Sequence, residues 1–254
     1  MSQENNNNNI IENQEIEKIE KIEPTEKKQK KIKPFHRVHA HKNPLADATA
    51  TDPISPSELN WSLYYPNGKP AEMLDVGCGW GGLVCEVGRI QQSNVIGMEI
   101  RPKAVEYGLE QIKKGREKDE LKNVWIVQCN CMKYIDNYFT KGQLLKIFIT
   151  FPDPHFKNSV KRRRIVNPHF AAMYVYLLRP GEGMLYTASD VRELFEWNTE
   201  SLDKQPLLER MPNDYTDDYL NIVMFKTEEA KKVDREHREK WGAVYKRKIE
   251  DAFE

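Results

Sequence analysis

A glycine-rich stretch constrains the fold of this chain more than any other feature. Its sequence is Asp75-Val76-Gly77-Cys78-Gly79-Trp80-Gly81-Gly82, and the residues that lead into it, Glu72 to Val76, have the composition of a strand. The residues that follow, Gly81 to Arg89, have the apolar spacing of a helix. Glycine permits positive φ and close approach of a ligand to the backbone, and the first N–H groups of a helix have no partner inside it. The stretch therefore predicts a loop that binds a nucleotide-containing cofactor.

Strand-like and helix-like segments alternate after this loop. Further strands are predicted at Asn94 to Ile100, Val124 to Gln128, Lys146 to Phe151 and Gly183 to Thr187. Further helices are predicted at Pro102 to Lys113, Asn167 to Leu178 and Val191 to Leu202. A late strand, Asn221 to Phe225, and a charged terminal helix, Thr227 to Lys248, complete the pattern. The alternation predicts an α/β fold with a parallel, doubly wound, Rossmann-like sheet and flanking helices, in which ligands bind at the carboxyl ends of the strands.

Residues 1–70 have a different composition. Residues 1–33 are a low-complexity run of Asn followed by Glu, Lys and Ile, which predicts a disordered tail. The basic run Lys27 to Lys33 is either a nuclear-import signal or a solvated charge run. Residues 34–70 are rich in proline, but Trp61 and Tyr64 predict an arm that packs on the core. Residues 71–254 are then the α/β domain.

Composition excludes several classes of protein. No apolar run approaches the roughly 20 residues that cross a bilayer, and the N-terminus lacks the apolar core of a secretory signal. We therefore expect a location in the cytosol or nucleus and no membrane contact. The spacing of Cys78, Cys85, Cys129 and Cys131 matches no common zinc framework, so no metal is expected.

The charge of the chain balances overall but not locally. Lysine and arginine together number 39, as do aspartate and glutamate. Yet Lys161-Arg162-Arg163-Arg164 forms a dense basic block close to Lys157, and His36 to Lys42 is a second basic segment. Local patches decide contacts with phosphate, so the first block predicts a surface that binds nucleic acid. A solvated helix face is the alternative interpretation of that block.

The glycine loop leaves two cofactor classes open. Gly77, Gly79 and Gly82 satisfy the G-x-G-x-x-G pattern of dinucleotide-binding loops. Glu99 ends the second strand and is placed to accept hydrogen bonds from ribose hydroxyls, which NAD and S-adenosylmethionine share. Asp75, inside the first strand, suits a cationic, amino-bearing ligand better than a pyrophosphate, and this favours S-adenosylmethionine. Asn130 follows the third strand, where its amide is placed to bind the adenine edge.

A rigid motif follows the fourth predicted strand. In Thr150-Phe151-Pro152-Asp153-Pro154-His155-Phe156-Lys157 two prolines restrict the backbone around Asp153. The motif resembles the F-P-D-P-[HW]-x-K mark of the tRNA (guanine-N7-)-methyltransferases, which are class I S-adenosylmethionine-dependent enzymes. The resemblance extends to the D-x-G-x-G-x-G loop and to Arg37 to Asp47, Glu99-Ile100-Arg101, Lys141 to Leu144 and Thr227-Glu228-Glu229.

This resemblance implies an activity and a set of site residues. The activity is transfer of a methyl group from S-adenosyl-L-methionine to N7 of a guanine in tRNA, in the variable loop, to give 7-methylguanosine. Asp153 would stand at the reaction centre. The cofactor or target pocket would be lined by Gly77, Glu99, Arg101, Asn130, Cys131, Thr150, Thr227 and Glu229. Cys131 replaces a small alanine and Thr150 an apolar residue, so both contacts are expected through the backbone.

The resemblance also implies partners. tRNA phosphates would meet Lys157, Arg162, Arg163 and Arg164. Eukaryotic members pair with a non-catalytic WD-repeat subunit, and the Asn-rich tail fits a eukaryotic source, so we expect that partner and a nuclear location. Two other functions stay open from the sequence: a non-catalytic RNA-binding subunit that keeps the fold, and an NAD-dependent oxidoreductase.

Overall fold

A seven-stranded sheet forms the centre of the molecule. The computed structural model describes residues 52–249 of this chain. The strands are β1 Met73–Val76, β2 Val95–Glu99, β3 Val124–Gln128, β4 Lys146–Thr150, β5 Met184–Ser189, β6 Leu208–Arg210 and β7 Trp241–Arg247. Their order across the sheet is β3-β2-β1-β4-β5-β7-β6. Strands β1 to β5 are parallel, whereas β7 runs antiparallel to both of its neighbours.

Helices cover both faces of this sheet. They are α1 Gly82–Ile90, α2 Pro102–Arg116, α3 Cys131–Tyr134, α4 Pro168–Leu177, α5 Arg192–Asp203, α6 Asp218–Asn221 and α7 Glu228–Arg235. Short 3₁₀ segments lie at Pro56–Glu58, Trp61–Leu63, Ile135–Asn137 and Asn158–Arg163, and a π-helical turn spans Ile222–Lys226. None of the helices within residues 52–249 is long and apolar enough to cross a membrane.

The local sequence accounts for where several helices begin. Pro102 occupies the first turn of α2, where its missing N–H costs nothing. The Asn167 side chain caps α4 by accepting hydrogen bonds from the His169 and Phe170 N–H groups. Thr227 caps α7 in the same way through the Ala230 N–H. These signals fix the helix starts close to their predicted positions.

Two apolar clusters fill the space between the sheet and its helices. One contains Leu74, Ile96 and Ile147, and the other contains Met73, Val95 and Phe148. Neighbouring residues of each strand thus point to opposite clusters, so the central strands are buried on both faces. The predicted alternation of strands and helices is confirmed from β1 to α5.

The prediction was wrong near the end of the chain. Asn221 to Phe225 is not a strand, because its residues continue α6 into the π-helical turn. Thr227 to Lys248 is not one helix, because α7 ends at Arg235 and β7 follows. The segment Ala243-Val244-Tyr245 alternates between the two clusters, as a strand with two buried faces requires. The sheet is therefore mixed rather than wholly parallel, and it includes β6, which was not predicted.

The described part of the predicted arm packs on the sheet. Tyr65 is fully buried and donates a hydrogen bond from its hydroxyl to the carbonyl oxygen of Val95, 2.9 Å away. Trp61 stacks on Tyr65 with ring centroids 6.1 Å apart. The expectations for the tail, the basic run from Lys27 and the segment from His36 to Lys42 concern residues outside the described range, and they stay predictions.

Candidate active site

A pocket opens at the carboxyl edge of the sheet, where the chain leaves β1 to β4. Strand β1 pairs with β2 on one side and with β4 on the other. The loop after β1 and the loop after β4 therefore meet at the point where the strand order reverses, which is where open α/β sheets bind ligands. The glycine loop and the Asp153 motif contribute to one pocket, as Gly77 and Asp153 both line it.

The glycine loop needs its glycines for two different reasons. Gly77 has φ +78° and Gly81 has φ +83°, a region that strongly favours glycine. A Cβ added at Gly81 would lie 2.5 Å from Cδ1 of Ile126, so the loop packs tightly on β3. A Cβ added at Gly77 would meet no atom within 4 Å, so the backbone there borders open space. Gly77 thus leaves room for a ligand, whereas Gly81 allows close packing.

The loop uses its first N–H groups inside the protein. The Gly77 and Cys78 N–H groups both donate to the carbonyl oxygen of Met98, at 2.9 and 3.0 Å. The Gly79 N–H donates to Oε2 of Glu99 at 3.0 Å. These three donors are therefore satisfied inside the protein. The bonds fix the loop on the end of β2 and leave the first N–H groups of α1 to face a ligand.

Glu99 is a carboxylate of the pocket that accepts four hydrogen bonds. Besides the Gly79 bond, it accepts from the Arg101 N–H at 2.8 Å and from Nε and Nη2 of the Arg101 guanidinium at 3.0 and 3.2 Å. Four hydrogen bonds use roughly the full accepting capacity of a carboxylate. A ligand hydroxyl that binds Glu99 must therefore replace one of these donors, and the side chain of Arg101 is the one that can move without unfolding the loop.

Arg101 links the two acidic groups of the pocket. Burial by itself would lower the pKa of Arg101. Its hydrogen bond to Glu99, with attraction to Glu99 and Asp153, outweighs this and raises that pKa above the ordinary value. Positive charge is therefore held between the carboxylates that end β2 and follow β4.

Asp75 is buried below the loop in β1. Burial, with a smaller effect from the Glu99 carboxylate, raises the pKa of Asp75 to about 8. Its Oδ1 is buried and has no hydrogen-bond partner within the described part of the chain. An unpaired carboxyl beside the glycine loop favours a cationic ligand, since a nearby positive charge would stabilise its ionised form.

The loop after β3 closes the pocket on the side of Glu99. Asn130 is 1% exposed and lines the pocket together with Cys131, the first residue of α3. The Cys129 N–H donates to the Glu99 carbonyl oxygen at 3.0 Å, which ties this loop to β2. Burial, with a smaller contribution from Glu99, raises the pKa of Cys131 to about 12, so its thiol is neutral at physiological pH.

The loop after β4 is strained around Asp153. Phe151 has φ +48° and His155 has φ +44°, although neither is glycine. Such conformations cost on the order of 1–3 kcal/mol each and persist only where the surroundings enforce them. Pro152 and Pro154 fix the backbone between them. Asp153 thus sits on a short rigid segment that is bracketed by two left-handed residues.

The residues of the basic block differ in their surroundings. Lys157 and Arg162 are exposed, and Arg163 lines the pocket while its Nε is buried without a hydrogen-bond partner among residues 52–249. Arg164 is 1% exposed and donates to the Pro154 carbonyl oxygen and to Glu193. This burial disagrees with the prediction that Arg164 contacts tRNA phosphate, because its guanidinium is enclosed by protein.

The structure brings most, but not all, of the predicted residues together. The pocket is lined by Gly77, Glu99, Arg101, Asn130, Cys131, Asp153 and Arg163. Thr150 ends β4 just before the pocket, and Lys157, Arg162 and Arg164 do not line it. Thr227 and Glu229 lie at the start of α7, and neither lines the pocket. Thr227 is 5% exposed, and its hydroxyl oxygen caps α7 by accepting a hydrogen bond from the Ala230 N–H.

The sequence reasoning missed several walls of the pocket. Met132 and Ile165 line it as apolar side chains, and His155 lines it next to Asp153. His155 lies in the motif, so its position after the second proline was the available signal. Met132 and Ile165 gave none, because apolar residues after a strand or a basic run are ordinary. Within residues 52–249 there is no group of three His, Cys, Asp or Glu residues that could hold a metal ion.

Comparisons with known proteins agree with this geometry. A family model described as "Putative methyltransferase" matches residues 69–243. The chain is similar to a tRNA (guanine-N(7)-)-methyltransferase of Dictyostelium discoideum, with 42% identity over 224 residues that cover 85% of this chain and 80% of the relative. It is also similar to a protein of that name from Arabidopsis thaliana, with 39% identity over 229 residues that cover 85% of this chain and 91% of the relative.

A solved structure shows the same fold. An antibiotic-related methyltransferase aligns with a TM-score of 0.52 and 16% identity, over 79% of this chain and 98% of that chain. The mixed seven-stranded sheet with its flanking helices is thus the Rossmann-like sheet of methyltransferases.

Proposed function

The chain belongs to the tRNA (guanine-N(7)-)-methyltransferase family, and we propose that it transfers a methyl group from S-adenosyl-L-methionine to N7 of a guanine in tRNA. The observation that carries the proposal is that Glu99 and Asp153 line one pocket on opposite sides of the strand-order reversal. One side of the pocket suits a nucleoside, and the other presents a carboxylate on a rigid loop.

The residues of the first side fit the cofactor. The unpaired, buried Asp75 and the acidic Glu99 suit a ligand that carries positive charge. Gly77 borders open space, and Glu99 and Asn130 offer groups for a ribose and an adenine. When bound, S-adenosylmethionine supplies an electrophilic methyl group on a sulfonium. Gly77, Glu99, Arg101, Asn130 and Cys131 are the residues that would hold it.

The chemistry of guanine explains what the second side has to do. N7 carries its own lone pair and needs no proton removed before it attacks a methyl group. A strong general base is therefore unnecessary, and orientation of the purine supplies most of the rate enhancement. A carboxylate held on a rigid loop suits that task better than a mobile one.

Asp153 is the group that orients the purine. Its carboxylate accepts hydrogen bonds from the N1–H and N2–H₂ edge of guanine, which directs N7 at the methyl group. Its negative charge also stabilises the cationic ring that forms as N7 is alkylated. Arg101 lies close enough to attract the Asp153 charge, so its guanidinium links the two sides of the pocket.

The exposed cations beside the pocket suit the tRNA backbone. Lys157 and Arg162 face solvent next to the Asp153 loop, and Arg163 reaches the pocket itself. Their charge and exposure support a role for these three side chains in binding phosphates of the tRNA. Thr150, Thr227 and Glu229 would join the site only through movement of α7 or through backbone contacts.

Three further features belong to the proposal. The target guanine lies in the variable loop, the enzyme works with a WD-repeat subunit, and the pair acts in the nucleus. The sequence resemblance supports the first two, and the basic run from Lys27 to Lys33 supports the third.

Truncation of residues 1–33 should leave methyl transfer intact and redistribute a fluorescent fusion from nucleus to cytoplasm. Unchanged nuclear localisation would count against that run as the signal.

One assay tests the reaction and its main alternative. The chain is incubated with labelled S-adenosylmethionine and unmodified tRNA, with and without a co-expressed WD-repeat protein, and the digested product is examined for 7-methylguanosine. Product in either arm supports the enzyme, and product only with the partner supports the heterodimer. Cofactor binding without product in both arms would favour a non-catalytic RNA-binding subunit instead.

A further inference from the structure

A buried arginine connects the Asp153 loop to α5, the helix that follows β5 in sequence. Arg164 follows the 3₁₀ segment Asn158–Arg163, and its side chain is 1% exposed. Its Nε donates to the carbonyl oxygen of Pro154 at 2.9 Å, one residue beyond Asp153. A charged side chain is seldom buried without a specific set of partners, so these contacts need an explanation.

Helix α5 supplies the other partners of this arginine. Nη2 of Arg164 donates to Oε1 of Glu193 at 2.9 Å, and Cζ lies 4.9 Å from the centroid of the Trp197 ring. Glu193 and Trp197 are four residues apart, so they present one face of the helix. The Trp197 ring is itself fixed, because its Nε1 donates to the carbonyl oxygen of Val166 at 2.7 Å.

The bond to Pro154 meets a specific need of the loop. Pro152 and Pro154 have no N–H to donate, so the loop makes few backbone hydrogen bonds of its own. Phe151 and His155 have left-handed backbone conformations, which persist only where the surrounding structure enforces them. A donor from a rigid neighbour at the Pro154 carbonyl restrains the loop between these two residues, where Asp153 lies.

We propose that Arg164 is a positioning residue for Asp153, held between Pro154 and the Glu193–Trp197 face of α5, rather than a ligand of tRNA. The inference rests on the proposed function for its catalytic consequence. The mechanical part, that Arg164 holds the loop, can be measured without any substrate. Arg164 acts through the main chain of the loop and touches neither cofactor nor guanine.

Hydrogen exchange of the free protein tests the mechanical part. Arg164→Met keeps an unbranched side chain and removes every donor, and Arg192→Met is the matched control. Arg192 lies on α5 but is exposed and pairs with Glu196. The amide of Phe151, which donates to the carbonyl oxygen of Ala188 at 2.8 Å, should exchange about tenfold faster in Arg164→Met and at the wild-type rate in the control. Unchanged exchange at residues 151–157 in Arg164→Met would overturn the proposal.

Kinetics then separate positioning from RNA binding. At saturating cofactor and tRNA, turnover in Arg164→Met should fall about 10- to 100-fold, since small displacements of a reacting geometry have effects of that size. The Kd for tRNA and its salt dependence should stay those of the wild type. If the Kd rises, the salt slope falls by about one and turnover at saturation stays normal, Arg164 is a phosphate ligand and the proposal is wrong.

Two further outcomes are distinguishable. If the wild-type protein itself transfers no methyl group to tRNA, the proposed function fails, while hydrogen exchange still decides whether Arg164 holds the loop. If Arg164→Met fails to fold, Glu193→Ala serves instead, with Glu196→Ala as its control, because both acids are exposed on α5 and alanine removes the acceptor. Glu193→Ala should speed exchange at residues 151–157 and lower turnover, and equal behaviour of the two variants would overturn the proposal.

Discussion

The two walls of the pocket are fixed by different physical means. The glycine wall, Gly77 to Gly82 with Glu99, is shaped by glycines and by hydrogen bonds to the end of the neighbouring strand β2. The proline wall, Phe151 to His155, takes left-handed conformations without glycine and is held by Arg164, which is bound to a helix further along the chain. The first wall thus depends on its glycines and on the adjacent strand, whereas the second depends on a buried arginine that is anchored on α5. Changes in the glycine wall should therefore alter binding and stability, and changes in the proline wall should alter turnover.

The largest expected effect is at the centre of the proline wall. Asp153→Asn should lower turnover about 100-fold, because the charge that orients and stabilises the purine is lost. The Kd of the cofactor should change by less than about threefold, as Asp153 lies on the other side of the pocket. Steady-state methyl transfer and titration calorimetry measure the two quantities, and Asp136→Asn is an exposed control. Full activity in Asp153→Asn would remove both of its suggested roles.

The reverse pattern is expected in the glycine wall. Glu99→Gln should raise the Kd of S-adenosylmethionine about 10- to 100-fold, because a charged acceptor for ribose is lost and the Arg101 guanidinium loses its partner. Turnover at saturating cofactor should stay within about threefold of the wild type, since the carboxylate is not at the reacting atoms. Calorimetry with the cofactor gives the first value. An unchanged Kd would mean that the ribose binds elsewhere.

Substitution of two glycines of this wall by alanine should have different effects on stability and cofactor binding. Gly81→Ala should lower the free energy of unfolding by about 1–3 kcal/mol, because the new Cβ would meet Ile126 and φ is positive. Gly77→Ala should cost about 1 kcal/mol from its positive φ alone, but it should also weaken cofactor binding, because its Cβ would enter open space in the pocket. Denaturant titration and calorimetry compare the pair. Equal loss of stability in both variants would show that the contact with Ile126 relaxes freely.

The last expected effect is a dependence of the free energy of unfolding on pH. Because the folded pKa of Asp75 is about 8, against an ordinary value of 3.8, the folded state holds more protons than the unfolded state between these values. This carboxyl therefore lowers stability as pH rises through that window, with a slope of up to about 1.4 kcal/mol per pH unit. Asp75→Asn should remove this contribution, so its stability relative to the wild type should increase from pH 5 to about pH 8. A pH-independent difference would contradict the burial argument.

The glycine wall could be predicted well from the sequence. A glycine loop between a strand and a helix has few alternatives, and Glu99 follows from the end of the next strand. The position of Asp153 also followed, because the carboxyl ends of β1 and β4 meet at one edge. The role of Arg164 did not, since a run of four basic residues gives no sign of which one turns inward. Its partners, Glu193 and Trp197, lie about 30 residues away in sequence.

The elements after α5 were harder to predict from the sequence. Ile222, Val223 and Phe225 form a short apolar run, and such a run does not distinguish a strand from a buried helical segment. The charged residues of α7 continue to Lys240, so the end of the helix is not marked by any loss of polarity. The signal for β7 was the aromatic and β-branched alternation from Trp241 to Tyr245, which a prediction of one long helix passes over.

The position of β7 has a consequence for how the chain acquires its structure during synthesis. Among residues 52–249, strand β7 is the last strand in sequence but is inserted between β5 and β6, and β6 pairs there with β7 alone. Strands β1 to β5 and the walls that they carry can assemble as they leave the ribosome. The edge of β5 has to wait, with its backbone unpaired, until the ribosome has added the residues that follow β6. An exposed strand edge invites pairing with other chains, so this interval is when the newly made protein most needs a chaperone.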